Sequence, residues 1–190
     1  MCKSANETVT HILAACPKLA QTEYLKRHNA VAAVIHKNIC DEYGIETAKQ
    51  TWLHHPEAVT ETEEVKILWD FEIRTDRVIP ARRPDIVVLD KEERKLTIID
   101  VAVPSDANIK DKETEKITKY QDLKIELQRM WNIKARVVPV VVGVLGATSP
   151  GIEKHLDNIP GKQDVRPLLK SALLGSAHIL RKVLDLPGSW

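Results

Sequence analysis

Residues 65–76, VKILWDFEIRTD, alternate with a period of two. Ile67, Trp69, Phe71 and Ile73 fall on one side, and Leu68, Asp70, Glu72 and Arg74 on the other, which predicts a half-buried strand. Upstream the period changes: Tyr24, His28, Val31, Ile35 and Ile39 recur at helical spacing, and Gly44 marks the helix end. His28 and His36 read as boundary or surface positions of that helix. Between helix and strand, residues 45–64 are polar and read as loop; His54 and His55 are adjacent, point apart, and have no third ligand at useful spacing.

After the alternating segment, VIPARRP is an extended connector. PDIVVLD and KLTIIDVAVP then read as buried strands, with Asp85 opening the first and Pro104 ending the second, and the short charged turn DKEER makes them an antiparallel hairpin. NIKDKETEKITKYQDLKIELQRMW predicts one long helix. Its apolar stripe is Tyr120, Leu123, Leu127 and Met130, and stepping back four residues at a time from Tyr120 reaches Lys116 and then Lys112. Lys119 is offset from the stripe, and Lys110 stands at the helix start. ARVVPVVVGVLG is almost continuously apolar, as in a strand buried on both faces, and a helix before it implies parallel pairing with an earlier strand. IEKHLDNI predicts a short helix. VRPLLKSALLGSAHILRKVLDL predicts a longer one with Leu169, Ala172, Leu173, Ser176, Ile179, Leu180 and Val183 along one face. The expected class is α/β: helix, three strands, helix, strand, with a central mixed sheet flanked by helices.

Composition narrows the class. A chain of 190 residues suits one domain with a small appendage, and 43% hydrophobic with 29% charged residues is the balance of a folded protein. The formal net charge of +1 leaves any nucleic-acid footprint to local clusters. No apolar run reaches the length of a membrane span, so no membrane partner is expected. The first 16 residues lack the basic-then-apolar pattern of a signal peptide, and three cysteines do not suit a secreted disulfide framework; a reducing intracellular compartment is expected.

Two acids do not fit simple packing. Asp85 opens one strand and Asp100 interrupts the next, between Ile98-Ile99 and Val101-Ala102-Val103. A buried carboxylate costs several kcal/mol unless paired or bound to a cation. Two carboxylates on neighbouring strands suit Mg²⁺ or Mn²⁺, and an inward lysine, Lys116, completes a set suited to phosphodiester hydrolysis. The plainer reading has Asp85 capping the turn after Pro84 and Asp100 pairing with Arg83. At the level of residues alone, both readings stand. At the N-terminus, Cys2, His11 and Cys16 are spaced C-x8-H-x4-C, which is either an incomplete set of zinc ligands or an ordinary short helix with its flanks.

The ordered set RRPD (82–85), IIDVAVP (98–104) and EKITKYQDL (115–123), preceded by C-x8-H-x4-C and PKLAQTEYLKRHN, resembles the restriction-like endonuclease of site-specific LINE-type retrotransposons, with the zinc knuckle just upstream of it. That domain belongs to the PD-D/E-x-K nuclease superfamily. RVVPVVVGVLG and AHILRKVL are similar to blocks in such elements.

The resemblance implies a restriction-endonuclease-like core in which Asp85 and Asp100 hold Mg²⁺ or Mn²⁺. Lys116 is the catalytic lysine, and Tyr120 completes a Lys/Tyr signature. In the wider superfamily the lysine follows the acid by two residues; here that position is Ala102, and the lysine comes from the helix, with Lys119 as the alternative. Arg82, Arg83, Lys112 and Lys119 are the implied DNA contacts, Arg83 touching a phosphate or steadying the acids. Read without the resemblance, the helix lysines form a solvated face balanced by Asp111, Glu113 and Glu115.

Cys2, His11 and Cys16 would be three of four Zn²⁺ ligands. The implied layout is a partial knuckle over 1–20, a nuclease core over 21–148 and a helical extension over 149–190. The implied setting is the nucleus, as the C-terminal part of a polyprotein whose reverse transcriptase lies upstream, with DNA as the partner. Two other readings remain: an inactive DNA-binding or interaction remnant of such an element, and a junction-resolvase-like nuclease.

Overall fold

The computed structural model describes residue 2 and residues 8–185. The chain opens with two π-helical turns, His11–Ala15 and Ala20–Tyr24, around a single α turn, α1 (Pro17–Leu19). They lead into α2 (Leu25–Glu42). A 3₁₀ turn at Thr51–Leu53 precedes β1 (Val59–Glu61), β2 (Val65–Trp69), β3 (Ile86–Asp90) and β4 (Lys95–Ala102). Next come α3 (Ile109–Lys119), α4 (Gln121–Trp131), β5 (Lys134–Val141), α5 (Ile152–Leu156) and α6 (Val165–Leu184). The five strands form one sheet in the order β1-β2-β3-β4-β5. Each neighbouring pair from β1 to β4 is antiparallel, while β4 and β5 run parallel, joined by α3 and α4. The class is α/β, a five-stranded mixed sheet flanked by helices.

Strand alternation assigns each face to a layer. Ile67, Ile86, Val88, Ile99, Val101, Val138 and Val140 pack with Val31, Ile35 and Ile39 of α2 and Leu168 and Ala172 of α6. Leu68, Val87, Leu96 and Ile98 turn the other way and pack with Tyr120, Leu123 and Leu127. Asp100 shares the parity of Leu96 and Ile98, so its strand presents it to the α3–α4 layer.

The end of α2 follows the sequence. Gly44 takes φ 64°, Ile45 N–H donates to the Cys40 carbonyl (2.9 Å) and Gly44 N–H to Asp41 (3.3 Å), a Schellman closure. Elsewhere the fold departs from expectation. The alternating segment is not a half-buried strand through residue 76. It is buried on both faces and stops at Trp69, because Asp70 adopts φ 45°. Phe71 is therefore turned outward, 40% exposed, while Ile73 is buried on the α4 side. The polar loop contains a strand: β1 adds an edge to β2, so four strands, not three, precede α3. The long helix is two helices, with Tyr120 at φ −106°, ψ 12° between them.

Gly161 closes the approach of the loop between α5 and α6 to α2. It takes φ +86°, and a Cβ there would lie 2.4 Å from the Asn38 carbonyl oxygen. Gly161→Ala is expected to lower unfolding free energy by about 2–3 kcal/mol in urea titration. An unchanged midpoint would mean that this loop does not bear on α2.

Candidate active site

The hairpin register brings the two acids together. Ile86 faces Ile99 in the β3–β4 pairing, and continuing that register by one residue sets Asp85 opposite Asp100. Asp100 lies within β4, and Asp85 immediately precedes β3 rather than opening it.

Asp100 is 2% exposed. Its Oδ1 accepts from the Tyr120 hydroxyl at 2.8 Å, and its Oδ2 is ion-paired with Lys116 Nζ. The Tyr120 oxygen also lies 3.1 Å from the Arg83 carbonyl. Burial raises the Asp100 carboxyl above its ordinary range, the negative charge of Asp85 raises it further, and Lys116 opposes both. Burial also raises the Tyr120 phenol, and the charge of Asp100 adds to it. Tyr120 therefore stays protonated and donates to the carboxylate.

Asp85 Oδ2 accepts from the Val101 amide at 2.6 Å and meets His28 Nε2 at 3.0 Å. The same His28 nitrogen lies 3.2 Å from the Val101 carbonyl, and Nδ1 lies 3.0 Å from Asn29 Oδ1. Asp85 Oδ2 and the Val101 carbonyl both accept from Nε2, and the carboxylate favours the charged, imidazolium form of the ring. Burial opposes that charge, but the hydrogen bond and charge of Asp85 outweigh it, raising His28 to about 9.

This geometry corrects the pairing that the plainer reading gives Asp100. Asp100 pairs with Lys116, not with Arg83. Arg83 instead grips Asp70 through Nε and Nη2, both at 2.8 Å, with Nε also donating to the Asp70 carbonyl at 2.9 Å. Asp85 ties the start of β3 to β4 and to α2.

His28 is not the boundary or surface residue that its helical spacing suggests: it reaches Asp85 and belongs with the acids. Its only signal was a polar ring on an otherwise apolar stripe, the same kind of signal that singled out Lys116.

The expected DNA contacts lie around this site with their charges engaged. Arg82 pairs with Glu72 at 2.8 Å, Lys112 pairs with Glu115, and Lys119 Nζ stands 4.6 Å from the centre of the Tyr120 ring. Arg83 and Asp70 are both more than half exposed, so their pair is open to competition by an external anion. A small cleft lined by His28, Asn29, Trp69, Asp70 and Asp85 opens on the α2 side.

The donors suit a hard cation. The strand register sets Asp85 and Asp100 opposite each other, and Lys116 and His28 each hold one carboxylate oxygen of the pair. At the N-terminus the structure also gathers Cys2, His11 and Cys16, with donor atoms within 4.8 Å of one another and Cys2 Sγ 3.0 Å from His11 Nε2. This soft set suits Zn²⁺.

No family model and no curated protein matches the chain. Among solved structures, an N-terminal domain of a reptarenavirus L protein is similar at 15% identity and a TM-score of 0.41, covering 94% of this chain and 80% of that one.

Proposed function

We propose that the chain is a metal-dependent DNA endonuclease domain with a restriction-like core, of the kind found in site-specific LINE-type retrotransposons. The observation that carries this reading is that the strand register sets Asp85, just before β3, opposite Asp100 of β4, while Lys116 of α3 is ion-paired with Asp100. Asp85 and Asp100 would hold Mg²⁺ or Mn²⁺, which supplies Lewis-acid activation of the phosphodiester and of a water nucleophile.

Each side chain then has a task. Lys116 orients the attacking water and offsets charge developing on the phosphate oxygens. Tyr120 fixes the Asp100 carboxylate by its 2.8 Å hydrogen bond, so that Asp100 presents its other oxygen. His28 holds Asp85 against β4. Arg82, Arg83, Lys112 and Lys119 meet the DNA backbone by exchanging their side-chain partners for phosphates. In this reading Cys2, His11 and Cys16 are the remaining zinc ligands of a knuckle. The domain acts in the nucleus beside an upstream reverse transcriptase, nicking target DNA to expose a 3′ hydroxyl primer.

The test is nicking of supercoiled plasmid by purified protein with Mg²⁺ or Mn²⁺. The parent chain is expected to produce open circles, and Asp85→Ala to lose cutting while keeping DNA binding. Binding without cutting by the parent would replace this reading with a remnant binding module. A strong preference for branched over linear duplex would replace it with a junction-directed nuclease.

A further inference from the structure

A second cluster of soft donors lies away from the acids. His36 and Cys40 stand four residues apart on α2, so they share one helix face, and both are buried at 1% and 2% exposure. His54 follows the 3₁₀ turn and folds back over them. His36 Nδ1 lies 2.9 Å from His54 Nε2 and 3.5 Å from Cys40 Sγ. Donor atoms of the three residues all lie within 4.8 Å of one another. The other side of the His36 ring is closed off: Nε2 is buried without a hydrogen-bond partner, and the ring stands edge-on to Trp69 at 5.6 Å and 89°. His36 therefore directs its only engaged nitrogen at the other two residues.

We propose that His36, Cys40 and His54 form a Zn²⁺ site. Tetrahedral zinc with bonds of about 2.0–2.1 Å to nitrogen and about 2.3 Å to sulfur sets its ligands roughly 3.3–3.6 Å apart. The His36–Cys40 separation of 3.5 Å already matches, and the His36–His54 contact of 2.9 Å needs only a small opening. The donor set is soft and holds no carboxylate, which selects Zn²⁺ over the hard cation suited to Asp85 and Asp100. On binding, Cys40 releases its thiol proton to solvent and ligates as thiolate, while both imidazoles ligate as neutral rings.

The site has an open side. His54 lines a groove of about 1110 Å³ together with Trp52, His55, Trp69, Arg166 and Lys170. His36 and Cys40 are buried behind it. Three protein ligands leave the fourth position to water or another exogenous donor arriving from that groove. The groove shares Asn29 and Trp69 with the small cleft at Asp85. Zinc here would pin the segment around Trp52 to α2 and set one wall of the surface beside the acids.

The test is zinc titration of the full chain in excess Mg²⁺, comparing the parent with His54→Gln and Cys40→Ala. His54 sits on a loop and Cys40→Ala keeps a small apolar side chain, so the two substitutions stress the fold differently. Each variant is expected to bind about one equivalent less than the parent, whatever Cys2, His11 and Cys16 contribute. Zn²⁺ should raise the parent's melting temperature more than that of either variant, with similar melting in chelator for His54→Gln. Cobalt substitution of the parent should give thiolate charge-transfer absorption that weakens in Cys40→Ala. Equal zinc equivalents in all three proteins would overturn the proposal and leave the cluster a hydrogen-bonded trio.

Discussion

Lys116→Met is expected to slow DNA nicking by roughly 10²–10⁴-fold, the range for loss of one positioned proton-transfer or charge-stabilising group. The same change should tighten Mn²⁺ binding to metal-depleted protein by about tenfold or more. The two effects have one origin. Lys116 Nζ occupies the Oδ2 side of Asp100, and it does so as a cation, 15% exposed beside a carboxylate that is 2% exposed. Ammonium and divalent ion therefore compete for one oxygen. Methionine preserves the stem that packs along α3 but removes the competitor, so cation affinity rises while the group needed for chemistry is lost.

Calorimetric titration with Mn²⁺, beside the plasmid assay, measures both effects. Asp100→Ala provides the contrast, because it should weaken Mn²⁺ binding and stop cutting. If Lys116→Met cuts at the parent rate while Lys119→Met does not, the functional lysine is Lys119. Weaker Mn²⁺ binding by Lys116→Met would mean that Lys116 supports the cation site rather than contesting it.

His28 should make metal-free stability fall as pH rises through the alkaline range. Its folded value of about 9 lies above the ordinary 6.5, because Asp85 outweighs burial. A raised value stabilises the fold fully below the unfolded value, near 6.5, and that contribution is lost as pH rises through 9. The pair is mostly shielded, with 24% and 19% of its side chains exposed, so the effect is on the order of 3 kcal/mol. In urea titrations with chelator present, the stability difference between parent and His28→Gln should be largest near pH 6 and shrink steadily toward pH 9.5. A difference that stays flat across that interval would mean that His28 is neutral in the folded chain.

Much of the layout was legible in local pattern. The short apolar runs of β3, β4 and β5, period near 3.6 in α2 and α4, and Gly44 at a helix end each report on contacts within a few residues. The short DKEER turn sufficed to pair β3 with β4, and that register sets Asp85 against Asp100. Lys116 could be placed because it continues the stripe of Tyr120, Leu123 and Leu127. The errors share a different character. Trp69 ends its strand because Asp70 turns left-handed where Arg83, thirteen residues on, grips it. β1 forms because β2 offers it an edge, not because its own residues alternate strongly.

The sequence by itself determined the α/β class and the hairpin-and-crossover order, and it placed Asp85 and Asp100 on adjacent strands and Lys116 on an inward stripe, since these follow from periodicity and short turns. Only the tertiary structure decided what neutralises those acids and what surrounds them. His28 reaches Asp85 across 57 positions, and His36 meets His54 across 18. Hydrogen bonds of that span depend on how α2 lies against the sheet and how the 45–64 segment folds back, and hydrophobic periodicity carries no record of polar groups meeting between elements.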